Sequence, residues 1–314
     1  MEKQRLRIDP KVDQGDDGLH FTVARPLCPL IAITSAAAFH LIVTRLVQLC
    51  FDGLVALRHH LRVNTSYPLN RRHILALGVG SAIASLDSLA HAATGARPIV
   101  IELFTSQGCS SCPPADAFME ELKSTRGVIA ISLHIDYWDY LGWRDTLGDA
   151  AYSQRQRDYA RWRNDGDIYT PQMIIDGANH FVGSNRPSVR AAIERAQETM
   201  PPLWIPITLS NPGKELLIAL DAHDDAPEST LWLLAISPSI AVKIVRGENA
   251  GREITYYNVV RRLVAASMWH GEAVSLSFPV EGFMADDSKA CVALLQLGTV
   301  GPVIGAATWG NIAA

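Results

Sequence analysis

The chain has 314 residues, 48% of them hydrophobic and 19% charged, with a formal net charge of −4 and a mean hydropathy of +0.09. A normal apolar fraction with so small a net charge excludes intrinsic disorder, and 22 Gly and 17 Pro without a period exclude collagen-like sequence. A sequence pI near 6.2 forces no basic surface, so nucleic acid is not an expected partner.

Charge is unevenly spread. Residues 1–92 hold 10 Lys+Arg against 7 Asp+Glu, whereas residues 93–314 hold 18 against 25. Pro26 to Thr44 is a stretch without formal charge, close to the ~20 residues that cross a bilayer. A second apolar stretch, Ile74–Leu89, follows Arg71-Arg72-His73 and leads into Ala90-His91-Ala92. Basic start, apolar run and A-x-A site are the parts of a secretory signal, and Asn70–Leu75 resembles a twin-arginine export signal. The expectation is a signal peptide over 70–92 and a periplasmic or secreted mature protein. Residues 1–69 then form an N-terminal extension, either an over-long start assignment with Val63 as an alternative initiator, or a membrane segment. In the second case two spans flank the basic loop Arg45–Arg72, and membrane contact runs through that segment alone.

From Arg97 the pattern alternates. Ile99–Phe104 is a short β-branched apolar run that suits a buried strand, and Ala115–Ser124 reads as a helix closed by Gly127. Val128–Ile135 is a second buried strand and Ala150–Arg163 a second helix. Met173–Ile175 is a third strand, which the turn Asp176-Gly177 returns as Asn179–Val182. Ser184-Asn185 caps a helix over Pro187–Gln197, and Met200-Pro201-Pro202 marks a boundary. Beyond it, β-rich runs recur at Leu203–Leu209, Leu216–Ala222, Leu231–Ile236, Ala241–Val245, Ile254–Val264, Ala273–Val280, Ala290–Leu297 and Val303–Thr308, which suggests a β-sandwich. Val259–Ser267 is compatible with helix or strand.

Cys109-Ser110-Ser111-Cys112 falls directly after a predicted strand and directly before a predicted helix. A thiol at a helix N-terminus meets unpaired backbone N–H groups and the positive end of the helix dipole, both of which favour thiolate, the attacking species in disulfide exchange. The spacing lets a second thiol close onto the first. Cys109 is therefore expected to be an exposed nucleophile and Cys112 a more buried resolving thiol. A zinc site would need about four ligands, and no second C-x-x-C or H-x-x-x-H accompanies the pair. Pro113 excludes covalent haem, which needs His after the second Cys. Pro171 opens the third strand, an unusual place for proline, and a cis Thr170-Pro171 bond there would lie opposite the thiols.

Strand, C-x-x-C, helix, strand, helix, Thr-Pro, hairpin and helix, in that order, resemble the thioredoxin fold over Arg97–Gln197. The runs Glu102–Cys109, Asp136–Trp143 and Arg246-Gly247-Glu248-Asn249 are similar to a family of bacterial secreted proteins known as domain of unknown function 1223, over Arg97–Trp309. The resemblance implies an α/β thioredoxin-like domain (93–200) and an exported location, and the β-rich runs add an all-β sandwich-like domain (201–314). Thioredoxins carry a buried acid on the strand before the motif. Glu102 is on that strand, one residue further from Cys109, and is a candidate proton relay.

These features predict an exported thiol–disulfide oxidoreductase that acts on protein or small-molecule thiols or on a redox partner protein, with no cofactor beyond its own disulfide. Cys109, Cys112, Pro171 and Glu102 would carry the chemistry, and Thr170, Trp138 and Trp143 would shape a substrate groove. Two alternatives stay open: a periplasmic Cu(I) metallochaperone with Cys109, Cys112 and His134 as ligands, since soft thiolates suit Cu(I), and a non-catalytic binding protein. Arg155, Arg157, Arg161 and Arg163 read as a solvated helix face, Arg246–Arg252 as a hairpin tip with ordinary turn chemistry, and Cys291 as an inert buried thiol.

Overall fold

In a computed structural model, the structure describes residues 97–312 apart from Pro212 and Asp286, together with a two-residue strand, β1 (Gln4–Arg5). The expected signal peptide (70–92) lies outside the described residues, as does the extension 1–69 apart from that strand. No helix among the described residues is long and apolar enough to cross a membrane.

Two strands form the centre. β2 (Ile99–Thr105) and β3 (Val128–His134) are buried along their whole length and pair in parallel, Ile99 opposite Val128 through Thr105 opposite His134. Such runs are mainly apolar because both faces of the sheet are covered. Between them α1 (Pro113–Leu122) crosses over one face, presenting Ala115, Phe118, Met119 and Leu122 inward. After β3 come a 3₁₀ turn (Asp139–Leu141) and α2 (Ala150–Arg163). The Asp149 side chain caps α2 by accepting the Ala151 amide, and Asn164 ends it in the left-handed conformation. β4 (Tyr169–Thr170) pairs antiparallel with β1; β5 (Gln172–Ile175) and β6 (Asn179–Val182) form a hairpin beside β2, and α3 (Arg186–Glu198) follows.

The remaining strands are β7 (Ile207–Ser210), β8 (Glu215–Leu220), β9 (Ser229–Lys243), β10 (Glu253–Trp269), β11 (Val274–Pro279), β12 (Ala290–Leu297) and β13 (Val303–Gly310), with one turn, α4 (Val280–Phe283), between β11 and β12. Leu231–Ile236 and Ala241–Val245, which read as separate strands across Pro238, are one strand. Asn258, opposite Pro238 in the β9–β10 register, takes a positive φ and sends its side-chain amide to the carbonyls of Ala130 and Ile312. Val259–Ser267 is strand, paired with β9 along its length.

The sequence reading separates residues 93–200 from 201–314, whereas the sheet runs across that boundary. Its order is β13-β12-β9-β10-β3-β2-β5-β6, and the junction is the parallel pairing of β10 with β3 at Val259 and Ser132. The described residues on both sides of that boundary form one compact unit. A local sequence pattern cannot reveal such a junction, because a buried strand looks the same whichever neighbour it pairs with. One face of the sheet is covered by α2, through Tyr152 and Tyr159 with Phe104, Ile131, Leu234 and Val292. The opposite face is covered at one end by α1 and α3. At its other end it carries a three-stranded sheet, β11-β8-β7, whose alternating inward residues Leu216, Ile218 and Leu220 pack on Leu233, Ala235, Cys291 and Ala293. Cys291 is fully buried, and burial pushes its thiol up to about 12, against a Leu234 backbone hydrogen bond.

Candidate functional site

Cys109 and Cys112 are joined by a disulfide, with their Cα atoms 5.4 Å apart. Cys112 is the N-cap of α1, and Pro113 and Pro114 fill the first turn, where an absent N–H costs nothing. The loop that carries the cysteines faces the segment before β5, whose Thr170-Pro171 peptide is cis. The Ser111 hydroxyl donates to the Thr170 carbonyl at 3.3 Å and lies 3.3 Å from Cys109 Sγ. The Trp138 indole donates to Thr170 Oγ1 at 2.8 Å, and its ring belongs to the same apolar cluster as both cysteines. Cys109, Cys112, Thr170, Pro171 and Trp138, named separately from sequence, are thus gathered at one place. Gly108 precedes Cys109 because a Cβ there would stand 3.2 Å from both Trp138 Cβ and the Trp138 carbonyl.

Cys109 is not the exposed nucleophile that the motif predicts. Both cysteines have 0% of their surface accessible. The β9–β10 connection holds the backbone on both sides of Cys109. Asn249 donates to the carbonyls of Gln107 at 3.0 Å and Cys109 at 2.8 Å, and Glu248 Oε2 accepts the Ser110 amide at 3.2 Å. Trp143 is half-buried beside the same tip. Its indole donates to Gln107 Oε1 at 2.8 Å, and its Cβ would stand 3.0 Å from a Cβ on Gly247, whose φ is +77°. The Arg246–Arg252 tip therefore clasps the C-x-x-C loop, and only the glycines follow from turn chemistry. A buried Asn between Gly-Glu and Ala-Gly was the available signal, and it points to a partner only once the tip is seen to reach the cysteines.

Glu102, the candidate proton relay, has its carboxylate bound by other side chains. Its carboxylate accepts from Arg155 Nε at 2.6 Å and Nη2 at 3.0 Å, and from the Tyr159 hydroxyl. Arg155 Nη2 also reaches Gln296 Oε1 at 2.6 Å. Glu102 on β2 is thereby tied to α2 and β12. Arg155, read as part of a solvated helix face, is buried at the centre of this network; burial would lower its pKa, but the charge of Glu102 outweighs that and raises it. Arg161, by contrast, is solvent-facing and pairs with Asp158.

A second buried polar group lies beside the cysteines. Asp116, one helical turn after Cys112, accepts from Thr105 Oγ1 at 2.6 Å, and its amide donates to the Cys112 carbonyl at 3.1 Å. Burial pushes its carboxyl up to about 7, opposed by the Thr105 hydrogen bond and the charge of His134. His134, proposed above as a third Cu(I) ligand, is fully buried with Nδ1 2.9 Å from Asp145 Oδ2. Asp145 also accepts the amides of Gln107 and Leu147, each at 2.8 Å. Burial disfavours its ionisation, but His134 and these amides prevail and hold its carboxyl below the usual range. Among the described residues no group of three or more His, Cys, Asp or Glu could hold a metal ion. Sequence reading passed over Asp116. Its signal was an acid four residues after Cys112 among the apolar positions Ala115, Phe118 and Met119.

A crystal structure of a protein from Agrobacterium tumefaciens is similar to this chain, with 27% identity and a TM-score of 0.61, covering 69% of this chain and 96% of that one. The HBP35 protein of Porphyromonas gingivalis is similar at 12% identity and a TM-score of 0.49, covering 69% of this chain and 76% of its own. No curated protein matches. Residues 100–296, which include the cysteine loop, Thr170-Pro171 and the Arg246–Arg252 clasp, match a family model, and the chain belongs to the family of proteins of unknown function designated DUF1223.

Proposed function

We propose that this protein is an exported thiol–disulfide oxidoreductase of thioredoxin-like fold. The observation that carries the reading is the Cys109–Cys112 disulfide at the N-terminus of α1, facing Thr170 across the Ser111 hydrogen bond. That position stabilises a thiolate after reduction, because the positive end of the helix dipole favours negative charge there. The strand order β3-β2-β5-β6, with α1 and α3 on one face and α2 on the other, supports the fold assignment. The basic, apolar and A-x-A succession over residues 70–92 supports export.

In this reading Cys109 attacks a disulfide in a client protein or a redox partner, and Cys112 resolves the mixed disulfide. Pro171 and Thr170 form the opposite wall. Access to Cys109 requires the Arg246–Arg252 clasp to move, since Cys109 is fully covered in the disulfide state. The test is to express the full chain with Cys112→Ser, reduce it, and expose it to disulfide-bonded proteins of its own compartment. Mixed disulfides held on Cys109, absent with Cys109→Ser, are the expected result. A reduced Cys109 that alkylates freely yet forms no adduct would overturn the reading and favour a binding protein.

A further inference from the structure

Three buried side-chain atoms near the cysteine pair have no hydrogen-bond partner: Asp116 Oδ2, His134 Nε2 and Tyr256 Oη. Buried polar atoms are nearly always paired, so each such exception calls for an explanation. Their placement supplies one. Thr105 and His134 are register partners on adjacent parallel strands, so both side chains leave the same face of the sheet. Thr105 holds Asp116 on that face, and the His134 ring meets the Tyr256 ring edge-on with centroids 4.5 Å apart. Asp116 is four residues beyond Cys112 with its amide on the Cys112 carbonyl, which stacks the two side chains on one side of the helix start.

Asp145 fixes the orientation of the His134 ring. An ionised Asp145 is an acceptor only, so Nδ1 of His134 carries the hydrogen between them, and Nε2 is the free end of the ring. The groups that act on Asp116 are the Thr105 hydroxyl from β2, His134 from β3, Asp145 from the loop before α2, and Tyr256 from β10.

We propose that Asp116 is the proton acceptor for the Cys112 thiol, backed by the His134–Asp145 pair, and that it does so in place of any acid on the preceding strand. The proposal rests on the oxidoreductase reading. In the resolving step the Cys112 S–H proton passes to the Asp116 carboxylate. The Cys112 thiolate attacks Cys109 Sγ of the mixed disulfide, the Cys109–Cys112 bond forms, and the bond from Cys109 to the client sulfur breaks. The client sulfur leaves with the electron pair as a thiolate and takes a proton from solvent. The cysteine pair is oxidised and the client reduced. Cys112 is fully covered, so bulk water is not at hand to take its proton. A buried carboxyl that titrates near neutrality is matched to that task. His134 stabilises the carboxylate before transfer, while the absence of a second donor to Oδ2 leaves that oxygen open for the proton.

The decisive experiment uses the reduced full chain and an aromatic disulfide, 5,5′-dithiobis(2-nitrobenzoate), whose thiolate absorbs visible light. Attack by Cys109 releases one thionitrobenzoate, and closure by Cys112 releases the second. Asp116→Asn is expected to slow the second release relative to the first by about 10²-fold near neutral pH, and to shift its pH profile upward, while Glu120→Gln, at an exposed acid of the same helix, leaves both unchanged. A second release with unaltered rate and pH profile in folded Asp116→Asn would overturn the proposal. Should that variant not fold, ¹³C titration of the Asp116 carboxyl in the wild type decides. A midpoint near neutrality in the disulfide form that moves upward on reduction supports the proposal, because a nearby thiolate disfavours the carboxylate. An ordinary carboxylate midpoint, indifferent to reduction, rejects it. Absence of the first release, or of any adduct with protein disulfides, would instead reject the oxidoreductase reading and leave the carboxyl titration standing by itself.

Discussion

The side-chain amide of Asn249 donates to the backbone carbonyl of Cys109 at 2.8 Å, across a sequence separation of 140 residues. Together with its second bond, to the Gln107 carbonyl, this contact makes the β9–β10 tip part of the cysteine loop rather than a remote turn. Asn249→Ala removes both donors and leaves the two carbonyls to be solvated or strained. It is expected to cost about 1–3 kcal/mol in urea unfolding. It should also raise the rate at which a small phosphine reduces the Cys109–Cys112 disulfide. An unchanged reduction rate would mean that the clasp does not control access.

Gly247 tests the same clasp from its other side. Its φ of +77° and the close approach of Trp143 leave no place for a Cβ. Gly247→Ala is expected to destabilise by more than about 1 kcal/mol and to disturb Trp143 fluorescence. Gly142→Ala, also at positive φ but with no neighbour near a Cβ, should cost less.

The Glu102–Arg155 pair is a structural pin between β2, α2 and β12. Removing one partner of a buried ion pair leaves the other uncompensated, so Arg155→Ala is expected to lose about 3–5 kcal/mol of stability by urea unfolding. Replacing both residues together by apolar ones should cost less than the single change. If Arg155→Ala were as mild as an exposed substitution such as Arg161→Ala, the buried pair would not have this role.

Stability should depend on pH with two opposed signs. The Asp116 carboxyl titrates near 7 when folded and near 3.8 when unfolded, so the folded state binds the extra proton. Its contribution is fully present below about 3.8 and is lost as pH rises to about 7. Asp145, held below its usual range, does the reverse: its contribution is present above about 3.8 and lost as pH falls further. Asp116→Asn isolates the first effect. The variant should gain stability relative to wild type between about pH 4 and 7, by something of the order of a few kcal/mol at most. Parallel stability profiles for the two proteins would contradict this assignment.

Short-range order was legible in the residues themselves. The β-branched runs Ile99–Phe104 and Val128–Ile135, the cap at Asn185, and the Asp176-Gly177 turn mark their elements because backbone sterics and local hydrogen bonds act over a few residues. The C-x-x-C pair and Thr170-Pro171 were legible for the same reason: each motif carries its own geometry. What only the tertiary structure decided is what these residues meet. Glu102 looked like a free acid on a strand until Arg155 arrived from α2, and Arg155 looked solvated until β12 closed over it. Cys109 looked exposed until Asn249 reached it from the β9–β10 tip. Asp116 was passed over until Thr105 and His134, side by side on neighbouring strands, defined the buried face on which it lies. Local sequence encodes dihedral preferences and periodicity, whereas exposure and pairing depend on strand neighbours brought together from far along the chain, and no spacing within a motif records those.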